Sequence, residues 1–200
     1  MISDSVPWKI ELLKIADRLE RRKTQRRWTE QTGFLVERDV MVSAYALRKL
    51  LEARKVSDSL AVQKIAVTQH SLAIGAKVPD ALNRYEVWEN YDLDNGRTIE
   101  LPLREFCNQI VHSWNWMLSA TEDRAFNGFF VSSDRMRARS IYFVPIDTFV
   151  EILRAVGSED VIGMSFLSDE NGQMQIYKIY NEDERAALEN EHRRDGDTLA

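Results

Sequence analysis

In the stretch REFCNQIVHSWNW, Arg104, Asn108 and His112 recur at intervals of four residues. On a helix, positions four apart share one face, so the three side chains can converge. A histidine near its ordinary pKa moves protons, and an arginine stabilises charge developing on a phosphate. The triad contains neither a carboxylate nor a nucleophilic serine. The chemistry it supports most simply is metal-independent RNA cleavage, with the RNA's own 2′-hydroxyl as nucleophile. The ordinary alternative has Asn108 and His112 satisfying polar groups at a buried helix junction. That alternative carries the greater weight, because an isolated histidine on a half-apolar helix is more often structural.

Two further groups of side chains could bind anions or nucleic acid. Residues 17–27 hold six basic and two acidic side chains, among them Arg21, Arg22, Arg26 and Arg27, and Trp28 follows directly. Arginines can grip phosphates while a tryptophan stacks on a base; the ordinary reading is a solvated helix end paired locally with Asp17 and Glu20. Arg135, Arg137 and Arg139 are spaced by two, so an extended chain would point all three to one face of a hairpin. There they would hold an anion or, more ordinarily, guard a strand edge against aggregation.

Other site classes are not expected. With Gly96 at the sixth position of a calcium loop, DLDNGRTIE would place Tyr91 and Leu93 at ligand positions. The histidines (70, 112 and 192) have no paired ligand spacing, so neither a metal nor another cofactor is expected. The single cysteine, Cys107, excludes an internal disulfide and is expected to pack as a small apolar side chain. No phosphate-binding glycine loop occurs.

The elements that must position these residues follow from hydrophobic spacing. Trp8, Leu12, Ile15 and Leu19 mark a first helix with Pro7 in its first turn. Val36, Val40, Ala44, Leu47 and Leu51 mark a second, longer helix. Residues 61–74 fit helix or strand. Tyr85, Val87, Tyr91 and Leu93 alternate with polar residues, Asn95-Gly96 offers a tight turn, and Ile99 and Leu101 resume the alternation, which predicts a hairpin. A helix is predicted over 102–118, with Trp114 and Trp116 on different sides of it. The runs GFFVSS and RSIYFV read as strands around a turn near Asp134. A short helix follows in IDTFVEILRAVG, capped by Thr148 with Glu151 and closed by Gly157. A final hairpin turns at Asn171-Gly172.

The whole reads as an α+β protein: N-terminal long antiparallel helices with a central motif helix, then β-hairpins and a short helix. One domain is expected over 1–181, helical to 120 and β-rich over 121–181. The stretch 182–200 holds seven acidic and three basic residues and reads as an acidic, partly disordered tail. The 44% hydrophobic and 30% charged composition is that of a folded soluble domain, and a net charge of −5 argues against a generic nucleic-acid coat. No window has the apolar length of a membrane span and no signal-peptide order is present, so a cytoplasmic protein is expected.

The segment FCNQIVH resembles the signature of HEPN domains, α-helical domains of bacterial toxin and defence systems, in which an arginine and a neighbouring polar residue precede a histidine. Asn108 and His112 match its latter part, and the long helices before it are similar to that fold's antiparallel pairs. Cys107 stands where the arginine would be, with Arg104 one turn earlier, the pattern of a non-catalytic member. The resemblance covers at most the first 120 residues. It implies a homodimer with the motif helices facing each other, and a metal-independent ribonuclease or an inactive relative. The favoured expectation remains a non-enzymatic binding or assembly protein, a homodimer with scope for a further protein partner; RNA is the less favoured ligand.

Overall fold

A computed structural model describes residues 2–187. Helix α1 (Val6–Arg22) buries Leu12, Ile15, Ala16 and Leu19, and Pro7 sits in its first turn. Helix α2 (Glu30–Glu52) starts at Thr29, whose side chain accepts the Thr32 N–H and so supplies one orphan amide with a partner. It buries Val36, Val40, Ala44 and Leu47 of the predicted stripe, while Leu51 at its end is half-buried. Close approaches of Gln25 to Thr32 and of Arg18 to Asp39 show the two helices running antiparallel.

The region 61–74 resolves into a short helical turn α3 (Asp58–Ala61) and strand β1 (Lys64–Ser71). A second short turn, α4 (Val87–Asn90), precedes β2 (Arg97–Pro102) and helix α5 (Leu103–Val111). Then come β3 (Ser113–Ala120), β4 (Phe126–Ser133), β5 (Ser140–Pro145), α6 (Ile146–Ser158), β6 (Val161–Ser168) and β7 (Met174–Asn181). Strands β1 to β5 form an antiparallel sheet in the order β2-β1-β5-β4-β3, while β6 and β7 pair separately. One face of the five-stranded sheet, with Ile65, Val67, Phe129, Val131 and Val144, packs against α1, α2, α5 and α6 in a continuous apolar core. The opposite face is partly covered by a smaller cluster of Val87, Tyr91 and Ile141.

The class is α+β, as the spacing implies, but several local expectations are corrected. Residues 85–93 are not a strand: β2 pairs with β1, Val67 opposite Ile99, so Asn95-Gly96 joins no hairpin. Asp92 instead receives the Asn95 N–H in a side-chain turn. Alternation failed here because Val87 and Tyr91 are buried from a helical turn and a single bridge to Leu72. The first 120 residues include β1, β2 and β3 and are therefore not wholly helical.

The predicted 102–118 helix stops at Val111, and its second half is β3. Trp114 and Trp116 do face different sides, for a strand reason. A register irregularity between Ser113 and Asn115 leaves Trp114 half-buried under the Arg137 guanidinium, 4.5 Å from the ring centroid, while Trp116 packs on Phe129 at 4.8 Å.

Helix α6 begins at Ile146 after Pro145 with no side-chain cap, so Thr148 lies inside its first turn and forms no capping box. Gly157 does not close it. A Cβ there would come within 2.7 Å of Leu13 Cγ, which makes Gly157 the point of close approach between α6 and α1. The Asn171-Gly172 hairpin forms as expected, with Gly172 at φ 79°, a conformation that glycine adopts without steric penalty. Residues 182–187 are helical; the rest of the expected acidic tail, 188–200, lies outside the described residues.

Candidate functional site

Helix α5 turns Leu103, Phe106, Cys107 and Ile110 into the core and leaves Arg104, Glu105 and Asn108 on its outer side. His112 is the cap residue, its N–H on the Asn108 carbonyl at 3.1 Å, and the chain passes directly into β3. The imidazole is exposed, so it does not sit at a buried junction. The expectation of a buried structural histidine is corrected: position 112 continues the outer face of Arg104 and Asn108, away from the side of α5 that carries Phe106 and Ile110 into the core.

His112 Nε2 lies 2.9 Å from Nη1 of Arg48 on α2. A guanidinium only donates, so Nε2 accepts and the ring proton of the neutral tautomer belongs on Nδ1. Arg48 Nε also donates to Glu52 Oε1 at 2.9 Å, and Arg104 Nη2 stands 4.0 Å from the same oxygen. Arg104 and His112 are therefore linked through α2 rather than along their own helix. Hydrogen bonds from Lys49 and Arg48 hold the Glu52 carboxyl below its ordinary pKa.

Arg48, Asn108, His112 and Arg135, with Glu105 and Asp134, line an open cleft of about 410 Å³; Arg104 lies outside it. The Asn108 Oδ1 is buried and has no hydrogen-bond partner among the described residues, while its amide reaches only weakly to Glu105 at 3.4 Å. The cleft offers two guanidiniums and an imidazole to an anion, opposed by two carboxylates. Arg48 supplies the cation that the stretch around Asn108 lacks. Its signal in the sequence, an arginine four residues before Glu52, is that of any helical ion pair.

Arg135, Arg137 and Arg139 do not share a strand face. Residues 134–139 form a helical turn, with the Arg137 N–H on the Ser133 carbonyl at 3.0 Å, so the period of two does not apply. Arg135 enters the cleft, Arg137 pairs with Asp134 at 2.9 Å and also contacts the Pro79 carbonyl, and Arg139 is exposed. At the other end of α2, Arg18 leaves the basic run to pair with Asp39 at 2.9 Å and with Glu11 at 3.0 Å. Lys23 contacts Glu20 and Asp147, and Arg22 contacts Gln25. The side chains of Arg21, Arg26 and Arg27 make no hydrogen bond or ion pair among the described residues, and Trp28 is half-buried against Phe126.

Cys107 is fully buried, and burial pushes its thiol up to about 12, which leaves no thiolate for chemistry. Among the described residues, no three His, Cys, Asp or Glu side chains gather as a metal site, and no helix is long and apolar enough to cross a membrane. Comparison with protein-family models, curated proteins and solved structures finds no match.

Proposed function

We propose that this is a non-enzymatic binding and assembly protein, homo-oligomeric through its β6–β7 ribbon. The observation that carries the reading is the ribbon's composition. It stands outside the main sheet, and Phe166, Leu167, Met174 and Tyr177 are each more than half exposed, whereas Ile179 is buried. A two-stranded hairpin is marginal in water, and clustered exposed apolar side chains mark interaction surfaces. A second copy supplies the same face with Phe166 and Met174, and a symmetric pair would bury that face on both copies. The assembly is expected in the cytoplasm.

Light scattering after gel filtration tests this. The expected mass is a multiple of the 23.3 kDa chain. Phe166→Ser with Met174→Ser, both at exposed positions, should return the protein to a monomer with its melting temperature near that of the parent monomer fold. A parent that is monomeric at micromolar concentration overturns the proposal.

A second reading is a HEPN-like, metal-independent ribonuclease or its inactive relative. The observation that favours it is the exposed imidazole in a cleft beside Arg48 and the unpartnered Asn108 Oδ1. Arg48 would turn from the ring to the cleaving phosphate, and Nε2, so freed, would take the 2′-hydroxyl proton as that oxygen bonds to phosphorus and the 5′-oxygen leaves, protonated from water. Cleavage of single-stranded RNA in excess chelator, abolished by His112→Ala and by Arg48→Ala in folded protein, would support it. An uncut RNA leaves the binding reading in place.

A further inference from the structure

We propose that the end of the molecule opposite the His112 cleft binds a nucleoside phosphate, either free or at the end of a single strand. The α1–α2 connection and the β3–β4 turn meet there. An apolar slot of about 250 Å³ is walled by Trp28, Leu118, Ala120 and Phe126, with Arg124 also on its lining. Arg124 also lines an adjoining groove of about 640 Å³, together with Lys23, Gln25 and Arg26.

The aromatic wall is held in place. Trp28 Nε1 donates to the Gln25 carbonyl at 2.9 Å, and the indole packs on Phe126 with centroids 5.4 Å apart. A flat, fixed indole lining an apolar slot suits a base, since every base has a π face to stack. The groove beside it suits a phosphate. Arg26 and Arg124 are exposed, and neither guanidinium has a hydrogen bond or ion pair among the described residues. Lys23 is already held by Glu20 and Asp147, and Asp123 is a carboxylate on the groove, so these two arginines are the cations free to bind.

Arg124 has φ 63° in the β3–β4 turn, where its N–H donates to the Thr121 carbonyl at 2.8 Å. In a chain of net charge −5, unpaired arginines at one end, beside an aromatic slot, are a local reversal of the overall field.

Three probes test the site in the full chain by calorimetry and fluorescence anisotropy at low salt: adenosine monophosphate, ribose 5-phosphate and a fluorescein-labelled oligouridine with a 5′-phosphate. Adenosine monophosphate or the oligonucleotide should bind, and more tightly than ribose 5-phosphate. Arg26→Glu with Arg124→Glu, at exposed positions, should weaken that binding by at least about tenfold with the melting temperature unchanged. Binding of the mononucleotide identifies a free nucleotide as sufficient; binding of the oligonucleotide without it assigns the site to strand ends. Either supports the shared chemistry. No binding of either at millimolar ligand, equal binding of ribose 5-phosphate, or full retention in the double variant overturns the proposal. The result does not depend on the oligomeric state.

Discussion

Nη1 of Arg48 lies 2.9 Å from Nε2 of His112, joining the C-terminal end of α2 to the end of α5 across 64 residues of sequence. His112 is exposed, and the half-buried Arg48 keeps its partner Glu52 when the imidazole is removed. His112→Ala is therefore expected to change stability by no more than about 0.5 kcal/mol, measured as the urea midpoint. A loss several times larger would show that the ring carries structural load despite its exposure.

Tyr91 is the polar centre of the sheet's second face. Its hydroxyl donates to the Arg137 carbonyl at 2.9 Å and lies 3.2 Å from Asn115 Oδ1. Burial pushes the phenol up to about 12. Tyr91→Phe removes the one O–H that the Arg137 carbonyl and Asn115 Oδ1 share, and should cost about 1–3 kcal/mol. Chemical denaturation of the variant measures this, and a neutral result would mean that water replaces the hydroxyl.

Two glycines allow close packing, and they should respond differently. A Cβ on Gly128 would lie 2.3 Å from the Val144 carbonyl, part of the neighbouring strand's backbone, which cannot move aside. At Gly157 the nearest atom belongs to the flexible Leu13 side chain, at 2.7 Å. Gly157→Ala should cost about 1–3 kcal/mol and Gly128→Ala more than that. Thermal melts of the two variants give the order, and the reverse order would refute the packing argument.

Asp39 sets an acid limit. Burial alone would raise its pKa, but hydrogen bonds from Arg18 and Arg38 outweigh burial and hold the carboxyl below its ordinary 3.8. A depressed folded-state pKa gives stabilisation that is complete above the unfolded value and is lost as pH falls through the folded one. The stability difference between the parent and Asp39→Asn should be constant above about pH 5 and shrink below about pH 4. A difference that grows on acidification would reverse the assignment.

The sequence determined the elements whose signals are local. The stripes Leu12-Ile15-Leu19 and Val36-Val40-Ala44-Leu47 repeat at the helical period and are buried as that period requires. Gly172, with φ 79°, turns β6 into β7 because the residue type itself permits the conformation. Tertiary structure decided what depends on distant partners. β2 joins β1 rather than its neighbour across Asn95-Gly96, since register is set by the face that Ile65 and Val67 bury against the helices. The helix expected to reach residue 118 ends at Val111, because Trp116 and Leu118 gain more by lining the sheet's core face beside Phe129 than by continuing a helical stripe. The candidate sites follow the same division. Asn108, His112, Arg26 and Trp28 could be singled out from residue type and spacing. Arg48 beside His112, and Arg124 on the lining of the Trp28 slot, were brought there by chain reversals that no local spacing encodes.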